Sequence, residues 1–228
     1  MKGRKRVSLK TVVDILRNMY KHPPPEGEFL AIDAVKKNFT PIGTLISIVL
    51  TQNTSDKNAW KALQNLINFA GPSLSSEKLS QLSVKDLEEM IQPSGMYRVK
   101  AKTILNILSH LNDDVLSKTP PNKLRNILIS IPGIGPKTAD VFLAVARKYP
   151  TFPIDTHVRR VLTRLGYIGP GMKYEDIRRK VIENLPPEEL MEAHILLIRH
   201  GRAICRARNP KCEECPLRNY CRYYRKRT

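Results

Sequence analysis

Four cysteines, Cys205, Cys212, Cys215 and Cys221, fall within 17 residues of a 228-residue chain that holds no others. Thiols this close together, in a chain with no sign of export, read as metal ligands rather than disulfide partners. Six, two and five residues separate them in turn, and four thiolates on one compact loop can hold a 4Fe–4S cluster. Zinc is the other option, although four-cysteine zinc sites commonly use two close pairs, and only Cys212–Cys215 is such a pair. A second group lies at Ile131-Pro132-Gly133-Ile134-Gly135-Pro136-Lys137-Thr138-Ala139-Asp140, between two apolar segments. Two glycines in a short turn let the backbone approach something closely, and N–H groups at a helix start bind phosphate. This is the pattern of a helix–hairpin–helix, a grip on the DNA backbone that reads no bases. The same turn can also join two packed helices with no ligand. Asp155, eighteen residues beyond Lys137, is equally open, because an aspartate there can simply cap the next helix, and a lysine on such a hairpin can simply contact a phosphate.

The elements that must position these groups are helical almost throughout. Leu9, Val12, Val13, Leu16 and Met19 recur at helical spacing from Ser8, a suitable N-cap, to Tyr20, and Pro23–Pro25 ends that run. Thr40-Pro41 opens a second helix, apolar on nearly every side through Leu50 and therefore central. Further helices are predicted at 55–69, 84–91, 99–111, 122–131, 137–147, 156–165, 175–184 and 188–204, with Gly166 closing one of them. No strand ladder, repeat or low-complexity tract stands out. The expected fold is all-α with short loops, and the absence of a long linker makes any division into domains discontinuous.

Charge narrows the partner. Lys and Arg outnumber Asp and Glu by 39 to 21, a net charge of +18, and a surplus of that size attracts polyanions, nucleic acid before membranes. No apolar run approaches the roughly 20 residues that span a bilayer. The basic stretch Met1–Arg6 leads into no signal-peptide core, because Lys10, Asp14 and Arg17 interrupt it. An intracellular protein of cytoplasm or nucleoid, neither secreted nor membrane-bound, is expected.

Three segments then carry a resemblance. Ile131–Ala139 resembles the hairpin of the endonuclease III family of DNA glycosylases, with Lys137 at the place of that family's nucleophile. Phe152-Pro-Ile-Asp155-Thr-His157 is similar to the family's catalytic-aspartate loop at the same separation. Leu197-Ile-Arg-His-Gly-Arg-Ala-Ile-Cys205 and the cysteine loop continue the match, which covers the chain from about Thr40 onward. One departure is Pro136, where close relatives often carry a basic residue.

The resemblance implies a function. Lys137 would attack the sugar C1′, expel the damaged base and form a Schiff base that permits β-elimination of the strand. A free lysine is almost wholly protonated, but burial and the positive end of a helix both disfavour the ammonium form. Asp155 would stabilise positive charge on the sugar and help deprotonate the nucleophile. The cysteines would hold one structural 4Fe–4S cluster, bracing a loop rich in Arg and Lys (Arg202, Arg206, Arg208, Lys211, Arg218, Arg222) against phosphates. The space left by an extruded base needs filling. The resemblance points to Asn53, or Gln52 with a one-residue shift, for a polar plug and to Met96 for an apolar wedge. His157 would orient the aspartate loop, while His194, His200 and Trp60 read as structural.

The architecture implied is two helical lobes with a DNA cleft between them. One is a six-helix barrel at 34–149 ending in the hairpin that includes Gly133 and Gly135. The other joins 1–33 to 150–228 and carries the cluster. The expected enzyme is a monomer acting on double-stranded DNA with oxidised pyrimidines, of the thymine glycol type, or abasic sites. The alternatives are a mismatch thymine/uracil or adenine glycosylase of the same superfamily, which usually lacks the lysine, a non-catalytic helix–hairpin–helix module, and a zinc-binding adaptor.

Overall fold

The computed structural model describes residues 7–225, so the Met1–Arg6 stretch weighed above as a leader lies outside the described residues. Every regular element among the described residues is helical, and none is long and apolar enough to cross a membrane. The chain forms two compact units. One is Pro24–Tyr149, and the other joins the chain up to Pro23 with the chain from Pro150 on.

The first helix of the Pro24–Tyr149 unit, α2 (Leu30–Lys36), follows α1 (Leu9–Met19) of the other unit and is not expected from sequence. It is seven residues long, and no side chain caps its start at Phe29, so its signature is weak. Leu30 and Ala34 are nevertheless buried in the unit's core. That packing moves the boundary of this unit to Pro24 from the expected residue 34. Helix α3 (Pro41–Leu50) is capped by the Thr40 hydroxyl and starts on Pro41, and every residue from Ile42 to Leu50 is buried. Around it run α4 (Asp56–Ala70), the short α5 (Ser76–Leu79), α6 (Val84–Ile91), α7 (Tyr97–His110), the short α8 (Asp113–Lys118), α9 (Pro121–Ser130) and α10 (Pro136–Ala146). Trp60 is partly buried against the core, with the Lys37 ammonium 5.3 Å from its ring centroid.

In the other unit, α1 (Leu9–Met19) is capped by Ser8 and buries Leu9, Val12, Val13 and Leu16. It packs on α13 (Leu190–Ala203). Charged side chains tie the pair together. Lys10 meets Glu189 at 2.6 Å, and Arg17 bonds both oxygens of Glu192, at 2.8 and 2.7 Å. Helix α11 (Thr156–Leu165) crosses the same α13 closely where Gly201 leaves room. A Cβ on Gly201 would stand 2.8 Å from the Cβ of His157. Gly166, at φ +80°, ends α11 as its sequence predicts. Helices α12 (Tyr174–Ile182) and α14 (Arg222–Arg225) complete the unit.

Candidate functional site

The hairpin is built by α9, α10 and the turn between them. Leu124 and Leu128 of α9, Ile131 and Ile134 of the turn and Ala139, Phe142 and Leu143 of α10 are all buried, which fixes the two helices against the core. A buried ion pair braces them: Arg125 bonds both carboxylate oxygens of Asp140, at 2.8 and 3.0 Å. The two glycines differ in kind. Gly133 sits at φ +96°, and a Cβ there would collide with the Thr103 side chain. Gly135 has φ −93°, and a Cβ there would meet nothing within 4 Å, so the protein's own packing does not require this glycine. No side chain caps α10, and Pro136 at its first position removes one N–H from the helix start. Lys137 follows, partly buried, in the first turn.

Gln52 joins this group. Its side-chain amide donates to the Gly133 carbonyl at 3.3 Å and to the Thr138 hydroxyl at 3.0 Å. Asn53 instead faces outward. Its Nδ2 stands 3.6 Å from the Met96 Sδ, and Met96 is 52% exposed. Both residues hold left-handed backbone, at φ +50° and φ +48°. The two residues weighed for one role thus lie in different surroundings, with Gln52 against the hairpin and Asn53 beside Met96.

In the other unit, Asp155 precedes α11 on extended backbone and accepts the Val158 N–H at 2.7 Å. It is therefore the N-cap, and one carboxylate oxygen makes that bond while the second is not used by the cap. Phe152, Pro153 and Ile154 before it are buried and anchor the loop. His157, in the first turn, has Nδ1 at 2.9 Å from the Arg160 guanidinium. Burial lowers the His157 pKa, opposed by Asp155 and aided by Arg160 and Arg202. His194 is buried edge-on to Phe152, at 5.8 Å between ring centroids.

The four cysteines line one small cavity together with Ile204, Pro210, Tyr223 and Tyr224. None forms a disulfide. Four thiols of one loop around a shared space are a ligand set that can hold a 4Fe–4S cluster. Burial pushes the Cys215 thiol up to about 11. Burial also raises Cys205, opposed by the Arg164 guanidinium, whose Nη1 lies 3.4 Å from its sulfur. Ionising these thiols in place calls for a strong positive centre, which iron supplies when bound. Arg164 organises the loop further, bonding the Arg206 and Ala207 carbonyls at 2.7 and 3.1 Å while stacking on Tyr223. His200, whose pKa burial lowers to about 4, points Nε2 at the Cys215 sulfur, 3.6 Å away. Nothing in the local sequence marks Arg164 or His200 for this, since each reaches a partner distant along the chain.

Comparison with known proteins agrees with this geometry. Residues 46–187 match the HhH-GPD superfamily base excision DNA repair protein family, and 205–221 match the iron–sulfur binding domain of endonuclease III. Endonuclease III of Sulfolobus acidocaldarius is 36% identical over 92% of this chain and 93% of its own. The fold is similar to that of a non-covalent endonuclease III–DNA complex, with TM-score 0.81, 27% identity and coverage of 97% of this chain and 98% of that one. A trapped covalent endonuclease III–DNA intermediate gives the same TM-score and identity, over 97% and 99%. Hairpin, capped aspartate loop and cysteine cavity occur here in one chain with that likeness, and the chain belongs to the endonuclease III family of base excision DNA repair enzymes.

Proposed function

We propose that this protein excises oxidised pyrimidines, of the thymine glycol type, from duplex DNA and then cleaves the strand by β-elimination through Lys137. The observation that carries this reading is the amine itself, set partly buried in the first turn of α10 on a glycine hairpin that Gln52 braces. Lys137 Nζ attacks C1′ and the base departs with the bonding pair. The sugar ring opens to a protonated imine, which acidifies the 2′ hydrogen; water takes that proton, the C2′–H pair becomes a C2′–C3′ double bond, and the 3′ phosphate leaves with the C3′–O pair. Water then releases the amine. Asp155, its cap bond leaving one oxygen for other use, supplies negative charge as the sugar becomes cationic. Gly135, with open space where a Cβ would stand, lets a phosphate approach the start of α10. Asn53 and Met96, exposed and adjacent, refill the stack after base extrusion. Cys205, Cys212, Cys215 and Cys221 hold one 4Fe–4S cluster, which fixes the shape of the basic loop. Such an enzyme works as a monomer where the DNA is, in the cytoplasm or nucleoid.

Borohydride trapping tests the assignment. Damaged duplex should give a covalent adduct with the protein, and Lys137→Gln should abolish it while duplex binding persists. Asp155→Asn keeps a capping side chain on α11, yet base excision should fall roughly 100- to 1,000-fold, with pre-formed abasic sites affected less. Trapping by Lys137→Gln, or base release without strand cleavage by the unaltered protein, would overturn the reading, the second in favour of a glycosylase without lyase action.

A further inference from the structure

Asn53 and Met96 each hold a left-handed conformation, one that asparagine tolerates readily but that a long side chain such as Met96 keeps only where its surroundings hold it. The surroundings include Lys100, one turn into α7. Its side chain runs inward, 2% exposed, and Nζ donates to two carbonyls from separate segments. One is Leu50, the last residue of α3 and three before Asn53, at 2.8 Å. The other is Ser94, two before Met96, at 2.7 Å. Ser94 is itself buried and bonded to the Ile91 carbonyl. Burial lowers the Lys100 ammonium to about 8, and no carboxylate offsets it. A methionine would fill this space without a buried charge to solvate, so what the lysine adds is its pair of bonds.

We propose that Lys100 is a positioning residue for base extrusion, its buried Nζ joining the Leu50 and Ser94 carbonyls so that Asn53 and Met96 stand side by side before DNA binds. Sealed inside the unit, it touches no substrate. The inference rests on the reading that Asn53 and Met96 refill the stack.

Excision of one oxidised pyrimidine, compared in duplex and in single strand, tests it, because only the duplex has a stack to refill. Lys100→Met should lower duplex excision by about ten- to a hundred-fold, as expected for misplaced groups, while single-strand excision and trapping stay near the unaltered level. Lys100→Arg, which keeps the cation and its donors, should restore part of the duplex rate. Equal losses on both substrates, or none on either, would overturn the proposal. Circular dichroism and single-strand trapping report folding. Should Lys100→Met not fold, Lys100→Gln is read by the same ratio, and unfolding of both variants would reduce the lysine to a structural role and overturn the proposal. Asn53→Ala and Met96→Ala are measured beside them. A duplex-specific loss there without one at Lys100 removes only the lysine's role. No duplex-specific loss at Asn53 or Met96 removes the gap-filling reading, and this inference with it.

Discussion

Gly133 and Gly135 stand two residues apart and answer to different constraints. Gly133 is held at φ +96° with the Thr103 side chain where a Cβ would go. Gly133→Ala should therefore destabilise the fold by about 1–3 kcal/mol, read from the urea midpoint. Gly135→Ala meets no protein atom, so stability should change by less than about 0.5 kcal/mol. Duplex affinity should fall all the same, because the new methyl occupies space offered to a phosphate. If Gly135→Ala binds duplex as well as the unaltered protein, the open space serves no ligand. Sequence spacing marked both glycines but could not separate them, since the difference lies in a residue thirty positions away. Lys100 escaped notice for the same reason. In sequence it is one lysine among many in a basic chain, and only its carbonyl partners, 50 and 6 residues away, give it a role.

Among elements, those with local signals were legible. Ser8 and Thr40-Pro41 marked helix starts and Gly166 a helix end, because caps and left-handed stops depend on neighbours within a turn. Helix α2 was not legible, since its stability comes from Leu30 and Ala34 entering a core assembled from later segments. The cysteine loop is the opposite case, since spacing alone picked out the four thiols that the fold brings to one cavity. Around them, however, stand Arg160 and Arg164 of α11, which bond the Cys205 carbonyl and the loop backbone beyond it. The loop is regular only in short turns, so its shape rests on these side-chain bonds to its backbone rather than on a helix ladder. Purified protein should be brown, with iron and acid-labile sulfide near four each. Cys212→Ser should lose the colour and much of the helical signal of its unit. A colourless, fully active protein with one equivalent of zinc would contradict this.

At the scale of the molecule the +18 charge dominates. Duplex affinity should fall linearly on a log–log plot against salt, by about 0.9 per phosphate contacted, and a flat titration would count against phosphate contacts as the basis of binding. The pairing of α1 with α13 bears on a different process, the order of synthesis. The Pro24–Tyr149 unit has all its residues before α13 is made, so it can fold while the chain is still growing. Helix α1 is made before that unit but meets Glu189 and Glu192 only after some 170 further residues. At about 5–20 residues per second, that is roughly 10–35 s in which these pairings with the start of α13 cannot form. The hairpin can thus be in place before the ribosome has supplied a single cysteine, and the iron–sulfur loop matures after it.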